Sequence, residues 1–327
     1  MFNRTLHQFS KSRKQDRVLL PSATADYVPF RVQHISDDCC QQRLLIQDRE
    51  AMPLESKTPK RGRSPQVSEP VSMIRLLSVG LLLLFISPVC AQSLPLTGSD
   101  PNRVILALLN SMPIGGGYSA TVSATRDLQS AVQVREGILR VNPSVARTTY
   151  CSGATYMVFV RAIQSLLPSS VFAGSLAEAL AVNGQPDGVG VWGRWNANGP
   201  GTACLFHELG LGHNFVSFEA ARPGDFMKIF WTDAVGRREH GHSVIYLGTE
   251  QKNGVEMIRF WSSNKPLGYG EKSVPRTRIA YAIFSRLEVP GNIERFVTLP
   301  GRNRYLAGLL ATESSIGEAL GESGTQR

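Results

Sequence analysis

The stretch that decides the fold is TTYCSGATYMVFVRAIQSLL, residues 148–167. From Ala154 onward its apolar side chains recur at every third or fourth position, which predicts an amphipathic helix. We expect Thr148 or Thr149 to be the N-cap, because a threonine hydroxyl accepts hydrogen bonds from the first backbone N–H groups of a helix. Cys151 then falls in the first turn of this helix.

The predicted position of Cys151 has a chemical consequence. The unpaired N–H groups and the positive dipole end of a helix favour a thiolate over a thiol, and they also stabilise an oxyanion on a bound carbonyl. Two other interpretations remain open at this point. Cys151 packs in the core as a small apolar group, or it forms a disulfide with Cys204.

The sequence MIRLLSVGLLLLFISPVCAQSL, which begins at Met73, predicts a secretory signal peptide over residues 73–91. Its apolar run of 14 residues is shorter than the ~20 residues of a membrane span. Residues 1–72 carry mixed charges without an apolar period, which predicts a disordered leader or a translation start at Met73. We therefore expect a secreted or periplasmic protein that meets the membrane only through its signal peptide.

Net charge and cysteine content change once the residues through Ala91 are set aside. The whole chain has a net charge of +9, whereas residues 92–327 hold 22 basic and 18 acidic side chains, a net charge of +4. This charge is too small to indicate a nucleic-acid partner. Two cysteines remain, and no motif in the sequence indicates a cofactor.

Residues 92–290 are predicted to form one domain that mixes helices and strands. Asp100 is the expected N-cap of a first helix, followed by a second helical stretch, RDLQSAVQVREGILR. Residues 183–202, with six glycines, predict a loop or lid. RTRIAYAIFSRL predicts a closing helix, and residues 291–327 a C-terminal helix with a frayed tail.

Three segments rich in strand-forming residues, FMKIFW, HSVIYLG and VEMIRFWSS, predict neighbouring antiparallel strands. His242 stands where the second of them begins. An imidazole can deprotonate a thiol and later protonate a leaving amine, which makes His242 the candidate base for Cys151. Asn264 or Ser262, at the end of the third segment, is expected to orient the imidazole, and the sequence does not choose between them.

Two further groups of residues are candidates for substrate binding or metal binding, and each also has a simpler structural explanation. Tyr118, Trp192 and Trp195 are candidate substrate-binding residues, although tryptophans are commonly used to fill a core. The segment HELGLGH, which contains His207, resembles half of a zinc-peptidase motif. Leu211 occupies the position of the second ligand, so the zinc site is only an alternative, and we expect no metal.

YCSGATYMVF, ARPGDFMKIF and GHSVIYLG, in this order, resemble the signatures D-C-S-G-L-V, P-G-D-L and G-H-V-G-I-Y-L-G of the NlpC-type cysteine peptidases. These are papain-like bacterial cell-wall amidases, and the resemblance covers about residues 100 to 290. It implies an α+β, papain-like fold in which a helix carrying the nucleophile packs, with other N-terminal helices, on a small antiparallel sheet. Cys151 would be the nucleophile and His242 the base.

The resemblance also implies a reaction, the hydrolysis of amide bonds in peptidoglycan stem peptides or another peptide amide. The chain departs from the family pattern at Tyr150, which replaces the usual aspartate, and no histidine follows His242. The alternatives are an exported binding or scaffold protein that kept the fold without the activity, and a zinc-dependent hydrolase that uses His207, Glu208 and His213.

Overall fold

A computed structural model describes residues 99–325, which form a mixed α+β structure of helices and an antiparallel sheet. The leader (1–72) and the signal peptide (73–91) lie outside these residues, so both stay predictions. The α-helices are α1 Pro101–Leu109, α2 Val122–Ala131, α3 Cys151–Leu166, α4 Ser175–Leu180, α5 Gly190–Asn196, α6 Gly201–Leu209, α7 Arg304–Gly308 and α8 Ile316–Glu322. The 3₁₀ helices are Ser169–Phe172, Arg276–Arg278 and Pro290–Thr298. The strands are β1 Gly115–Gly116, β2 Val132–Arg135, β3 Ile138–Val141, β4 Gly212–Phe215, β5 Phe226–Phe230, β6 Val235–Gly236, β7 Gly241–Lys252, β8 Val255–Asn264, β9 Gly268–Pro275, β10 Tyr281–Leu287 and β11 Glu313–Ser314.

The main sheet has the order β1-β9-β8-β7-β5-β10-β4, and every pair in it is antiparallel. The three strands predicted from the sequence are β5, β7 and β8, and their adjacency is confirmed. β7 and β8 form a hairpin with Asn253 and Gly254 at its turn, both with positive φ. Asn-Gly suits this turn because both residues adopt left-handed backbone conformations at low cost.

Helix α3 packs on this sheet through contacts with β7 and β8, and it also contacts α1 and α5. Twelve of its sixteen residues are buried, so it is a central helix rather than a surface helix with one solvent-exposed face. Its prediction from the sequence is confirmed, and Cys151 is its first residue. The predicted helix at Pro101 with Asp100 as N-cap is confirmed too, since the Asp100 carboxylate accepts from Asn102 N–H.

The predicted closing helix RTRIAYAIFSRL is wrong, because this segment contains strand β10. β10 pairs with β5 on one side and with β4 on the other. It is therefore an inner strand, and most of its residues are buried. A short apolar run of this kind has no periodicity that separates a buried strand from a helix, so only the pairing decides.

The predicted loop or lid over residues 183–202 is wrong in part, because it contains α5 and the start of α6. Gly188, in the turn before α5, and Gly190, the first residue of α5, adopt positive φ. A side chain at Gly193, inside α5, would overlap the carbonyl group of Pro186. These glycines therefore serve tight turns and close backbone contacts rather than flexibility.

Two other predicted helical segments differ from the structure. The helix over RDLQSAVQVREGILR ends at Ala131, and the hairpin β2–β3 follows, with Glu136 and Gly137 at positive φ in its turn. The predicted frayed tail instead contains α8, which begins after the N-cap Ser315. The Asn214 side chain donates to the Ser323 carbonyl and ties this tail to β4.

Asp225, the aspartate of the segment ARPGDF, joins three parts of the structure. Its side chain is fully buried and accepts hydrogen bonds from the side chains of Asn102 in α1 and Arg286 in β10, and from the backbone of Arg222. A side chain at Gly224 would collide with Asn102. The P-G-D sequence is thus required for packing rather than for chemistry.

We expect Asp225→Ala to lower the free energy of unfolding by about 3–5 kcal/mol, because it leaves the Arg286 guanidinium without its buried partner. The matched control is Glu271→Ala, which removes the partner of Arg259 at an exposed pair 2.8 Å apart. We expect this control to cost at most about 1 kcal/mol. Urea unfolding of both variants measures the difference, and equal losses would contradict the role given to Asp225.

Candidate active site

Cys151 is the first residue of α3, and its side chain is half-buried. Within residues 99–325, Cys151 and Cys204 are both free thiols, so the disulfide alternative is wrong. Cys204 is fully buried in α6. Of these two thiols, Cys151 alone is partly accessible to solvent.

The N-cap of α3 is Tyr150, not Thr148 or Thr149 as predicted. Thr148 instead donates its hydroxyl to the Gly116 carbonyl, 2.6 Å away. Among the described residues no side chain makes a cap hydrogen bond to α3. The N–H groups of its first turn are therefore not occupied by a capping side chain, which is the arrangement that binds an anion at a helix start.

The backbone of Thr149 fixes the start of α3 against two neighbouring segments. Its carbonyl oxygen accepts from the Ser263 hydroxyl in β8 at 2.7 Å and from Ser119 N–H at 3.1 Å. Tyr118 forms a β-bridge with Thr149 as well. The residues around Cys151 are thus held by hydrogen bonds from both sides.

His242 acts on Cys151, since its side chain lowers the pKa of the thiol through hydrogen bonding and charge. Its Nε2 lies 3.0 Å from Asn264 Oδ1. The Asn264 amide nitrogen donates to the carbonyl oxygens of Ser262 and Gly270. Because these two bonds fix the amide orientation, the Asn264 oxygen points at the imidazole and accepts a hydrogen bond from Nε2–H.

Ser262, the other residue considered for orienting His242, has a different partner. It is fully buried, and its hydroxyl donates to the backbone carbonyl of Ser243 at 2.7 Å. The backbone of Ser243 in turn helps to lower the pKa of the Cys151 thiol. Asn264 therefore contacts the imidazole, whereas Ser262 supports the backbone beside the sulfur.

The environment of Cys151 lowers the pKa of its thiol to about 6. Burial is the largest single effect and raises this pKa, but hydrogen bonding and charge from His242 are the first of several effects that together outweigh it. The Ser243 N–H and the charge of Lys228 add to the lowering. The sulfur is thus a thiolate at neutral pH, as a nucleophile requires.

The sequence did not predict a role for Lys228 at this site, although the residue lies inside the apolar segment FMKIFW. Its side chain is 12% exposed, and its Nζ lies 2.6 Å from Glu239 Oε1. The carboxylate of Glu239 also accepts from the backbone N–H groups of Gly199 and Gly236. A lysine within an apolar strand could have marked this residue as a functional candidate, but the sequence does not give its distance from Cys151.

Of the predicted substrate-binding aromatics, the structure brings only Tyr118 to Cys151. The Tyr118 hydroxyl lies 4.0 Å from the sulfur of Cys151, and the Lys265 ammonium lies 5.2 Å from the centre of the Tyr118 ring. Tyr118 thus lines the space next to the candidate nucleophile. Its role in binding remains a prediction.

Trp192 and Trp195 are only 3% and 2% exposed, so their prediction as substrate-binding aromatics in a loop is wrong. They lie on α5, and each packs edge-on against Tyr156 of α3. The Trp195 indole N–H also donates to the Ser152 carbonyl at 3.1 Å. Their burial follows from the helix that replaces the predicted loop, because α5 turns both rings inward.

The HELGLGH segment holds no zinc site in the part of the chain that the structure describes, where no group of three or more potential ligands comes together. Glu208 is instead the partner of the fully buried Arg194, at 2.6 Å. His207 lies in α6, whereas His213 lies in β4 and contacts Glu288. The zinc-dependent alternative is therefore wrong for these residues.

Comparison of the chain with models of protein families, with curated proteins and with solved structures finds no match. Within residues 99–325, no helix combines the length and the apolar character needed to cross a bilayer. What this chain does is therefore inferred from its own residues, above all from Cys151, His242 and Asn264.

We expect the rate of Cys151 alkylation by iodoacetamide to rise with pH through an inflection near pH 6, because the thiolate is the reactive form. In His242→Ala, burial acts without the opposing imidazole, so the inflection moves above the value of about 8.5 for a free cysteine. The control is His213→Ala, which removes a histidine elsewhere on the sheet and should leave the inflection in place. Mass spectrometry of the Cys151 peptide measures the rates, and an unshifted inflection in His242→Ala would overturn the pairing.

Proposed function

We propose that this protein is an exported, papain-like cysteine hydrolase that cleaves amide bonds. The observation that carries the proposal is the series Cys151, His242 and Asn264, in which the imidazole lowers the pKa of the thiol and is itself hydrogen-bonded to an amide. This combination of nucleophile, base and orienting group is what acyl transfer requires.

In the proposed first step, the Cys151 thiolate attacks the carbonyl carbon of the amide, and a carbon–sulfur bond forms. The protonated imidazole of His242 then gives its proton to the leaving amine as the carbon–nitrogen bond breaks. Water then attacks the resulting thioester, and His242 accepts a proton from this water as it attacks. The acid product leaves, and the thiolate–imidazolium pair is restored.

Two groups are suited to stabilise the oxyanion of the tetrahedral intermediate. Backbone N–H groups of the first turn of α3 point toward the site of Cys151, and no described side chain caps them. The Tyr118 hydroxyl, 4.0 Å from the sulfur, would supply a second donor. Donors that are fixed before the reaction stabilise the transition state without reorganising.

The motifs that resemble the NlpC-type family have physical reasons in this structure. A side chain at Gly241 would meet the ends of the Glu239 and Lys228 side chains, so the glycine of the Gly-His pair leaves room for this ion pair beside the proposed base. Asp225 holds strands and α1 together. These reasons favour the proposed family, and through it peptidoglycan stem peptides as the substrate of an envelope or secreted enzyme.

Digestion of purified peptidoglycan with the mature chain, residues 92–327, tests this proposal. We expect release of stem-peptide fragments by the wild type and none by Cys151→Ala. Cys204→Ala is the matched control, because it removes a free thiol that the structure buries away from solvent. Activity that survives in Cys151→Ala would refute the mechanism, and an inactive wild type whose Cys151 alkylates slowly would favour the binding or scaffold alternative.

A second comparison separates Asn264 from Ser262, two buried polar residues of β8. We expect Asn264→Ala to lower kcat by about 10- to 100-fold, because the imidazole loses the acceptor that fixes its orientation. Ser262→Ala should keep most of the activity, since its hydroxyl contacts only the Ser243 backbone among described residues. The kcat values of the two variants check this assignment, and a larger loss in Ser262→Ala would reverse it.

A further inference from the structure

A lysine, Lys265, lies beside the candidate nucleophile. Its ammonium is 5.2 Å from the centre of the Tyr118 ring, and the Tyr118 hydroxyl is 4.0 Å from the sulfur of Cys151. A cation at this distance from an aromatic ring is attracted by the ring electrons, which favours this position of the lysine. A single tyrosine side chain thus connects the Lys265 charge to the sulfur.

The backbone segments that carry this lysine and this tyrosine are joined to each other and to the site. Lys265 directly follows Asn264, the residue that contacts the imidazole. Gly117 N–H, next to Tyr118, donates to the carbonyl of Leu267 at 3.1 Å. The position of the ammonium beside the cleft therefore follows from the same pairing that places the orienting amide.

The backbone around Tyr118 carries charge of one sign. Three segments meet there through the β-bridge between Tyr118 and Thr149 and through the pairing of β1 with β9. These segments are residues 113–121, 143–149 and 264–270. They contain Arg147 and Lys265 but no aspartate or glutamate. A cleft wall with charge of one sign attracts substrate groups of the opposite sign.

Two carboxylates near the site interact with a different lysine, Lys228. Glu239 is 2% exposed, and its Oε1 lies 2.6 Å from Lys228 Nζ. Burial raises the pKa of Asp187 to about 6, and the charge of Lys228 opposes this rise. The two lysines thus have different surroundings, because Lys228 lies among carboxylates whereas Lys265 lies over an aromatic ring.

We propose that Lys265 is a specificity-determining residue of the cleft, and that its amide substrates carry a carboxylate a few bonds from the scissile amide. This inference rests on the proposed function, because it names a substrate class for the same cleft. Its physical basis is the Coulomb attraction between the ammonium and the carboxylate, which is stronger at a protein surface than in bulk water.

The test compares two alkylating agents on the full chain, N-iodoacetylglycine and N-iodoacetylglycinamide, which differ only in a terminal carboxylate or neutral amide. Mass spectrometry of the Cys151 peptide gives both rate constants. Their ratio cancels any change in the thiolate fraction, since both agents react with the thiolate. We expect Lys265→Gln to lower the ratio of acid to amide about fivefold. Lys265→Arg keeps the charge and should keep most of the ratio.

The matched control is Lys272→Gln, which removes an exposed lysine of β9, seven residues further along the chain. It should leave the ratio unchanged, because salt screens charges separated by more than about 8 Å at physiological ionic strength. A wild-type ratio that persists in Lys265→Gln, or an equal fall in Lys272→Gln, overturns the assignment of Lys265. A slow reaction with the neutral agent at neutral pH speaks against the proposed function instead, while the ratio still reports on Lys265.

Discussion

The antiparallel pairing of β7 with β8 is the constraint on which the candidate site depends. Ile245 pairs with Trp261, and the same register continued by three residues brings His242 opposite Asn264. The hydrogen bond between these two side chains follows from that register. A shift by one residue would turn either side chain to the other face of the sheet and would separate them.

The same strand positions the other half of the site. Ser263, between the two residues considered for orienting the imidazole, donates to the carbonyl of Thr149 at the start of α3. One strand thus sets both the orientation of His242 and the place where the helix carrying Cys151 begins. The sulfur is partly buried, which opposes its ionisation, yet the effects of His242, the Ser243 backbone and Lys228 together outweigh this cost.

Several charged residues whose motifs suggest catalysis or metal binding instead stabilise the packing of the fold. Glu208 neutralises the buried Arg194, whose guanidinium also donates to the carbonyl oxygens of Gly190 and Pro300. The carboxylate of Asp225 likewise neutralises the charge of Arg286. A buried charge must be paired, so charged residues inside conspicuous motifs are explained here by pairing rather than by metal binding.

The sequence by itself determined the helix that carries Cys151 in its first turn, the three adjacent strands β5, β7 and β8, and the choice of Cys151 and His242, with Asn264 or Ser262, as candidates. These features depend on local periodicity and on turn residues, which short stretches of sequence contain. Only the tertiary structure decided that Asn264 rather than Ser262 contacts the imidazole, that β10 is a strand, and that Trp195 is buried. Each of these depends on pairing between segments distant in the chain, and the free energy of such contacts leaves no local pattern in the residues that make them.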